Sequence, residues 1–309
     1  MNNVYKTDLS VKIGGFTLKN PVMPASGTFE PMAYKNSSLE LQKLGAIMLK
    51  TVTYRKSTGN PKPRVTELAN GMGMLNSIGI PSVGLHEFVD GYLPAYAALG
   101  VPVILSISGK VEEEYSEAVR LVADNPHISI LELNLSCPNI GTGLPFSSDP
   151  GVMHRTLAPL RKLTRLPMMA KLSPMVSDIC ATAKVAENCG MDAVTLCNTF
   201  PGMAIDTEKR KPVLGNCIGG VSGPAVKPLV MRIVYQAYKA VSIPIVASGG
   251  IESRDDAIEY FLAGASAVQV GSANFVKPDL IFNLPEELDE YLYAHKTESV
   301  HLLTGMAHR

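Results

Sequence analysis

The sequence predicts an α/β fold, a single (β/α)8 TIM barrel with a small N-terminal β-hairpin. Short apolar runs rich in β-branched residues alternate with segments of helical period, as expected for parallel strands that are buried on both faces. There are about eight such units, the number in a closed barrel, and 309 residues suit one barrel. No Gly/Ser linker or low-complexity segment divides the chain, so we expect one domain over residues 1–309. The alternative is an open, doubly wound sheet.

The same pattern predicts the bounds of each strand and helix. Residues 11–13 and 16–18 flank Gly14-Gly15, a two-residue turn signal, and predict a hairpin across the bottom of the barrel. The predicted barrel strands are residues 21–25, 46–50, 103–107, 130–135, 168–172, 193–197, 244–247 and 267–270. The predicted helices are residues 33–44, 86–99, 112–124, 150–164, 177–188, 224–240 and 254–263, with a last one after Pro278.

Composition excludes several classes of protein. The chain has 28 Lys and Arg against 28 Asp and Glu, so it lacks the basic excess that nucleic acids and anionic membranes attract. With 46% hydrophobic residues it is not a disordered chain. Its five cysteines include no C-x-x-C spacing, which argues against a disulfide framework, a zinc site or an iron–sulfur cluster. No stretch reaches the roughly 18 apolar residues that span a bilayer, so we expect a soluble, cytoplasmic protein without a metal.

Polar residues cluster where the predicted strands end. Active sites of this fold lie at the carboxyl ends of the strands, so these residues are the first candidates for a functional site. They are Lys50, Thr51, Asn134, Cys137, Lys171, Asn198, Thr199, Ser248, Gly249, Gly250, Gly271 and Ser272.

The glycines after the seventh and eighth strands indicate a phosphate site. Barrels often bind phosphate there through backbone N–H groups, and glycine lets the backbone approach the oxygens. Gly249-Gly250 and Gly271-Ser272 are in these positions, and Gly223 precedes another predicted helix. The alternative is that these glycines only make tight turns. Neither a P-loop nor a Rossmann fingerprint is present, so the ligand is not expected to be bound in either of those ways.

Two lysines end otherwise apolar strands. A lysine head at such a position costs free energy unless it meets an anion or lines a wet cavity, so Lys50 and Lys171 indicate a ligand with negative charge. One alternative is that each lysine reaches the rim beside a carboxylate. Another is that a desolvated lysine forms a Schiff base.

Residues 133–139 carry two amides, a hydroxyl and the thiol of Cys137 in a loop that leaves a strand. A nucleophilic cysteine usually has a histidine partner, and none of the six histidines ends a predicted strand. A cysteine near cations can act as a general base instead, although a packed loop cysteine is the alternative. The glycine-rich residues 70–80 are predicted to form a binding loop with Asn76 at a turn. With Asn134, Asn139 and Asn198, that residue gives four amides for a planar polar ligand, unless each only forms a local turn.

Together these motifs resemble class 1 dihydroorotate dehydrogenase. The resemblance covers about residues 9–292 and rests on residues 134–139, 76–80, 198–199, 223–224, 248–251 and 271–272. It implies an FMN-binding barrel that oxidises dihydroorotate to orotate in pyrimidine synthesis. The cysteine, where membrane-associated class 2 enzymes have serine, implies class 1.

Residues 198–203 and 219–228 further resemble the class 1B catalytic subunit. That type has a homodimer core and works in a heterotetramer with a partner subunit that carries FAD and an iron–sulfur cluster and passes electrons to NAD. This chain has neither a cysteine cluster nor a dinucleotide fingerprint of its own, which agrees with a separate partner. The nearest alternative is the class 1A homodimer, which uses fumarate.

The resemblance implies a role for each matching residue. Cys137 would take a proton from C5 of dihydroorotate while a hydride leaves C6 for flavin N5, and Lys171 would stabilise the anionic reduced flavin. The residues implied to hold dihydroorotate are Lys50, Asn76, Ser77, Ile78, Gly79, Ile80, Asn134, Asn198 and Thr199. Those implied to surround FMN are Ser26, Lys50, Thr51, Ser106, Asn134, Lys171, Cys197, Gly223, Gly249, Gly250, Gly271 and Ser272.

Two positions depart from the 1B pattern. Ser106 stands where asparagine is usual, and Ser272 stands where threonine is usual. Both keep a hydrogen-bonding group, and serine at the first position also resembles class 1A. Two functions of other kinds remain as alternatives: a Schiff-base aldolase that uses Lys171, and a barrel that binds a ligand without catalysis.

Overall fold

The computed structural model describes residues 6–37, 39–136 and 145–309. The strands in these residues are β1 (Val11–Ile13), β2 (Phe16–Leu18), β3 (Val22–Pro24), β4 (Ile47–Met48), β5 (Val52–Thr53), β6 (Val65–Leu68), β7 (Gly73–Asn76), β8 (Val103–Ser108), β9 (Ile130–Asn134), β10 (Met168–Lys171), β11 (Ala193–Leu196), β12 (Phe200–Met203), β13 (Ile205–Asp206), β14 (Lys211–Pro212), β15 (Ile218–Ser222), β16 (Ile245–Ser248) and β17 (Ala267–Val270).

The α-helices in the same residues are α1 (Leu85–Gly91), α2 (Leu93–Ala97), α3 (Glu112–Val122), α4 (Pro150–Leu157), α5 (Ile179–Asn188), α6 (Lys227–Tyr238), α7 (Arg254–Ala263), α8 (Ala273–Val276) and α9 (Leu280–Ala294). None of the helices within residues 6–37, 39–136 and 145–309 is both long enough and apolar enough to cross a membrane.

Eight parallel strands form the barrel. Their order is β3-β17-β16-β11-β10-β9-β8-β4, so neighbours in space follow the chain around the ring. The Gly45 N–H donates to the Val22 carbonyl at 2.9 Å, which brings the start of β4 beside β3 and nearly closes the ring. The predicted TIM barrel is therefore confirmed. Strands β8 to β11, β16 and β17 are buried along their whole length because helices cover them outside and side chains fill the interior.

The N-terminal hairpin is confirmed with the predicted bounds. β1 pairs antiparallel with β2, and Val11, Ile13 and Leu18 are buried in the main apolar core. The Gly14 turn lies against Asp192, which directly precedes β11. Since the strands of the barrel begin at this end, the hairpin covers the bottom of the barrel, opposite the strand ends that carry the candidate site.

The second barrel strand contains a bulge. β4 pairs Met48 with Ile104, whereas β5 pairs Val52 with Ile107, so three residues on this strand lie opposite two on β8. The three residues are Leu49, Lys50 and Thr51. A bulge changes the direction in which side chains leave a strand, and it is a common device beside active sites. The local irregularity thus occurs where the sequence places a lysine and a hydroxyl.

Several predicted helices are shorter than expected, and one is wrong. Residues 33–44 form no α-helix in their described part; Pro31–Tyr34 and Leu41–Lys43 make short 3-10 turns instead. The Ser37 hydroxyl donates to the Tyr34 carbonyl at 3.0 Å and accepts from the Leu39 N–H at 3.2 Å, contacts that compete with helix formation. The predicted helix over 86–99 divides into α1 and α2 at Tyr92, and the helix predicted over 150–164 ends at Leu157, shortly before Pro159.

A four-stranded antiparallel sheet covers the carboxyl ends of the barrel strands. Its order is β12-β15-β7-β6, and we call it the lid sheet. β6 and β7 come from the connection after β5, and β12 and β15 come from the connection after β11. The expectation of a loop over residues 70–80 with Asn76 at a turn is wrong for Gly73–Asn76, which form β7, with Asn76 paired to Val65 and Gly220 inside this sheet. The glycines in residues 70–80 obscure the alternating pattern by which a strand is recognised in a sequence.

Candidate active site

A cavity of about 570 Å³ lies between the top of the barrel and the lid sheet. It is lined by side chains and backbone groups from the ends of most barrel strands and from both strand pairs of the lid sheet, β6–β7 and β12–β15. Nearly all of the site residues predicted from the sequence line it. They are Ser26, Lys50, Thr51, Asn76, Ser77, Ile78, Gly79, Ile80, Asn134, Lys171, Cys197, Asn198, Thr199, Gly223, Gly249, Gly250, Gly271 and Ser272.

Two predicted site residues are not among those that line the cavity. Ser106 has no exposed surface and lies beneath Thr51, whose Oγ1 is 2.9 Å from the Ser106 Oγ. It therefore reaches the site only through that hydroxyl. Cys137 lies outside the described residues, and so does Asn139. Their predicted roles stay predictions.

A group of backbone N–H donors lies at one end of the cavity. Those of Gly223, Gly249, Gly250, Gly271 and Ser272 donate to no acceptor in the described part of the chain. Gly250 has φ of 68°, and a Cβ there would come within 2.7 Å of the Lys227 Cβ. Only glycine allows this tight turn, which leaves several donors together at the ends of β16 and β17. Such a group of N–H donors is suited to the oxygens of a phosphate.

Lys50 and Lys171 line the cavity, and neither forms an ion pair with a described residue. The ion pairs within the described residues involve other lysines and arginines, and neither of these two takes part in one. Lys171 is only 6% exposed. Burial, assisted by the positive charge of Arg64, lowers the pKa of Lys50 below its ordinary value. The alternative that each lysine sits beside a carboxylate finds no support among these residues, and the pair is free to meet a bound anion.

Amide and hydroxyl groups form the rest of the cavity wall. Asn76 Nδ2 donates to the Gly220 carbonyl at 3.2 Å, which links β7 to β15 and holds that amide in the lid sheet. On the barrel side, the Ser136 hydroxyl lies between Asn134 and Asn198: it donates to Asn134 Oδ1 at 2.5 Å and accepts from Asn198 Nδ2. The Thr199 N–H donates to Asn198 Oδ1 at 2.8 Å. The predicted amides are thus held in defined orientations by their neighbours.

The cavity-lining cysteine of the described residues is a neutral thiol. Cys197 is 3% exposed, and burial raises the pKa of its thiol to about 12, although the nearby charge of Lys171 acts in the opposite direction. A thiol with this pKa holds its proton at neutral pH and does not serve as a base. No group of three or more His, Cys, Asp and Glu side chains suited to a metal ion occurs in residues 6–37, 39–136 and 145–309.

Comparison with known protein families agrees with this geometry. Residues 8–292 match the family described as dihydroorotate dehydrogenase. The chain belongs to the dihydroorotate dehydrogenase family. It is therefore an enzyme of the oxidoreductase class, and the family resemblance inferred from the sequence is confirmed.

Curated members of the dihydroorotate dehydrogenase family match the chain over nearly its whole length. One from Carboxydothermus hydrogenoformans is 47% identical over 98% of both chains. One from Desulforudis audaxviator is 43% identical over 98% of this chain and 99% of its own, and one from Citrifermentans bemidjiense is 42% identical over 97% and 98%. All three are named as the catalytic subunit of dihydroorotate dehydrogenase B (NAD(+)). The predicted likeness to the NAD-linked catalytic subunit is confirmed.

The structure adds residues to the candidate site that the sequence analysis did not assign. Ser136 links two predicted substrate amides, and Asn216 donates through Nδ2 to the Ser77 hydroxyl at 3.1 Å. Phe275 lines the cavity, yet 58% of it is exposed. Ser136 lies inside the motif that carried the resemblance, so its position was an available signal. The sequence gives no such signal for Asn216, because the position of Asn216 depends on the fold of the lid sheet.

Proposed function

We propose that this chain oxidises dihydroorotate to orotate in de novo pyrimidine synthesis, with FMN bound in the cavity beneath the lid sheet. The observation that carries the proposal is that one cavity brings together several oriented amides with two lysines and a cluster of N–H donors that have no partner among the described residues. Orotate and dihydroorotate are planar or nearly planar, carry a carboxylate and present several carbonyl and N–H groups. A site of this composition offers each of those groups a partner.

The residues present fit FMN. The unpartnered N–H groups of residues 249, 250, 271 and 272, with that of Gly223, would hold its phosphate. Ser26, Lys50, Thr51, Asn134, Lys171 and Cys197 line the remainder of the predicted cofactor site, and Ser106 would act through Thr51. When bound, FMN would accept the hydride that leaves C6 of dihydroorotate.

The chain's own residues would supply binding and proton transfer. Lys50 would meet the substrate carboxylate, and Asn76, Asn134 and Asn198 would hold the ring through its carbonyl and N–H groups, with Ser77, Ile78, Gly79, Ile80 and Thr199 around it. The thiolate of Cys137 would take the proton from C5. Lys171, with no carboxylate partner among the described residues, would place positive charge where negative charge develops, which is a strong source of catalytic stabilisation.

The final electron acceptor is proposed to be NAD, reached through a second subunit. The relatives are named as NAD(+)-linked catalytic subunits, and the word subunit implies a separate partner. We propose that the partner carries FAD and an iron–sulfur cluster and that a homodimer of this chain forms the centre of a heterotetramer. Co-purification of such a partner, with NAD reduction only in the complex, is expected. Fumarate reduction by the isolated chain would instead establish the class 1A alternative.

The visible absorption spectrum tests the central proposal. The purified chain should be yellow, and adding dihydroorotate under anaerobic conditions should bleach the flavin band. A colourless protein that borohydride traps covalently with its substrate would indicate the Schiff-base aldolase. A yellow protein that dihydroorotate does not bleach would indicate a binding barrel without this activity.

A further inference from the structure

A buried tyrosine hydroxyl lies behind the N–H donors that follow β16. Tyr260, on α7, has no exposed surface and is not among the residues that line the cavity. Its hydroxyl oxygen is 2.6 Å from the Gly249 carbonyl oxygen and 3.4 Å from that of Lys227. Burial raises the pKa of Tyr260 well above its ordinary value, so the phenol keeps its proton at neutral pH. A carbonyl oxygen has no hydrogen to give, so the 2.6 Å contact requires that of the tyrosine, which donates to Gly249.

This bond is the only one that holds the backbone of residues 249–251 within the described part of the chain. The strand ladder of β16 ends at Ser248, and the backbone is next held at Glu252, whose N–H donates to Asp256 Oδ2 at 2.9 Å. Between these two points the N–H groups and the other carbonyls have no partner among the described residues. The tyrosine hydroxyl is therefore the one group of those residues that holds this turn by a hydrogen bond.

The direction of the Gly249 carbonyl sets the direction of the N–H group that follows it. The peptide bond between Gly249 and Gly250 is planar and trans, so its C=O and its N–H point in opposite directions. With the carbonyl held towards α7, the Gly250 N–H points away from that helix, and Gly250 itself lines the cavity. The two glycines have φ of 152° and 68°, and glycine on both sides of a peptide leaves it free to rotate unless something holds it.

The same hydrogen bond also strengthens the Gly250 N–H as a donor. A carbonyl that accepts a hydrogen bond polarises its peptide group, and this effect is larger in the interior of a protein than in water. The side chain of Lys227 packs against Gly250, but its ammonium pairs with Asp256 and, at 2.9 Å, with Glu259. Its charge is thus already balanced, and the turn offers an anion its oriented N–H groups.

We propose that Tyr260 is a positioning residue that aims the Gly250 N–H at the phosphate of the bound flavin. The inference rests on the proposed function, in which this end of the cavity holds the phosphate of FMN. Tyr260 does not line the cavity, so it touches neither flavin nor substrate and takes no part in proton transfer. Its effect belongs to the affinity for the phosphate and not to the chemical step.

The test compares the affinity of the full chain, freed of flavin, for FMN and for riboflavin, which is FMN without its phosphate. Tyr260→Phe keeps the buried ring and removes the hydroxyl, so FMN should bind about tenfold more weakly while riboflavin binds as it does to wild type. The phosphorus NMR resonance of bound FMN should shift. At saturating FMN, kcat and the KM for dihydroorotate should match wild type. Tyr238→Phe, on α6, is the matched control, because its hydroxyl donates to the Thr304 carbonyl at 3.4 Å, away from the turn.

Tyr260→Met provides a second variant if Tyr260→Phe does not fold. Methionine is apolar and adaptable and has no hydrogen to donate, so the same loss, for FMN alone, is expected. FMN affinities within about twofold of wild type, an equal loss for riboflavin, or an equal loss in Tyr238→Phe would overturn the proposal. A wild-type chain that binds both flavins equally would overturn this inference and leave the oxidation of dihydroorotate untouched. A wild-type chain that binds neither flavin would overturn the proposed function first, and this inference with it.

Discussion

The proposed chemistry of the site rests mainly on single charged and ionisable side chains. Lys50 and Lys171 are directed to a cavity in which no carboxylate of the described chain offsets their charge. Cys197 lies in the same cavity but keeps its proton, because burial raises the pKa of its thiol to about 12. The thiolate base of the proposed mechanism is therefore assigned to another residue, Cys137, as the sequence predicts.

Replacing Cys137 tests that assignment. Cys137→Ala should lower turnover by roughly 10²- to 10⁴-fold, the usual contribution of a general base, while FMN stays bound. Turnover assays and the visible spectrum measure the two effects separately. Cys180→Ala, on α5 and away from the cavity, should leave both unchanged. Full activity of Cys137→Ala at neutral pH would exclude it as the base.

Lys50 should make orotate binding sensitive to alkaline pH. In the proposed mode of binding its ammonium attracts the orotate carboxylate, and burial lowers its pKa below 10.5, so affinity should fall as the pH rises through that lowered value. Lys50→Ala should bind orotate about tenfold more weakly at neutral pH and should lose this alkaline decline. Titrations with orotate between neutral and alkaline pH measure both. Lys184→Ala, a surface change on α5, should follow the wild-type profile.

At the scale of elements, close packing of glycines holds the lid sheet together. Gly73 begins β7 with φ of 133°, and a Cβ there would collide with the Ser222 carbonyl oxygen at the end of β15. Gly223 lies on the other side of the same contact, where a Cβ would meet the Gly73 Cα. At this point β7 and the end of β15 therefore contact each other through backbone atoms alone.

Gly73→Ala should separate β7 from β15. The collision and the unfavourable φ together should cost about 1–3 kcal/mol of stability and raise the KM for dihydroorotate, with the barrel's circular dichroism unchanged. Gly71→Ala is the matched control, since it has φ of 68° but no atom within 4 Å of the added Cβ. It tests a positive φ without the collision. Equal KM values in the two variants would contradict a role for this contact in the site.

At the scale of the whole molecule, the two ends of the described chain are joined outside the barrel. Asp289 on α9 accepts from the Lys6 N–H at 3.0 Å, the Thr7 N–H at 2.8 Å and the Thr7 hydroxyl at 2.7 Å. Burial acts to raise the pKa of Asp289, but these hydrogen bonds outweigh it and hold the pKa below 3.8. The last long helix thereby anchors the segment that leads into the β1–β2 hairpin.

This anchor should contribute stability that depends on pH. Because the folded pKa lies below the unfolded one, the contribution is fully present above about pH 4 and is lost as the pH falls through the folded value. Asp289→Asn should lose about 1–3 kcal/mol near neutral pH, and its difference from wild type should shrink in acid. Thermal unfolding from pH 3 to 7 measures this. Asp255→Asn, an exposed surface change, should show no such loss.

The buried strands are the part of the fold that the sequence alone predicts best. The barrel and the hairpin were predictable because their hydrophobic pattern depends on neighbours a few residues apart. The strand-end residues followed from the fold, and nearly all of them line the cavity. Glu132 was visible as a charged residue within the apolar run Ile130–Asn134, but nothing local identified its partners. The predicted helix over residues 33–44 was wrong because local serine hydrogen bonds outweighed a weak helical period.

The sequence was enough to predict the barrel, the candidate residues at the strand ends and the family to which the chain belongs. The lid sheet that closes over those ends, and the hydrogen bonds from three other strands to the buried Glu132, depend on the tertiary structure. The physical reason is distance along the chain. Asn76 meets Gly220 across 144 residues and Gln269 meets Glu132 across 137, and such contacts exist only once the strands are arranged around the barrel.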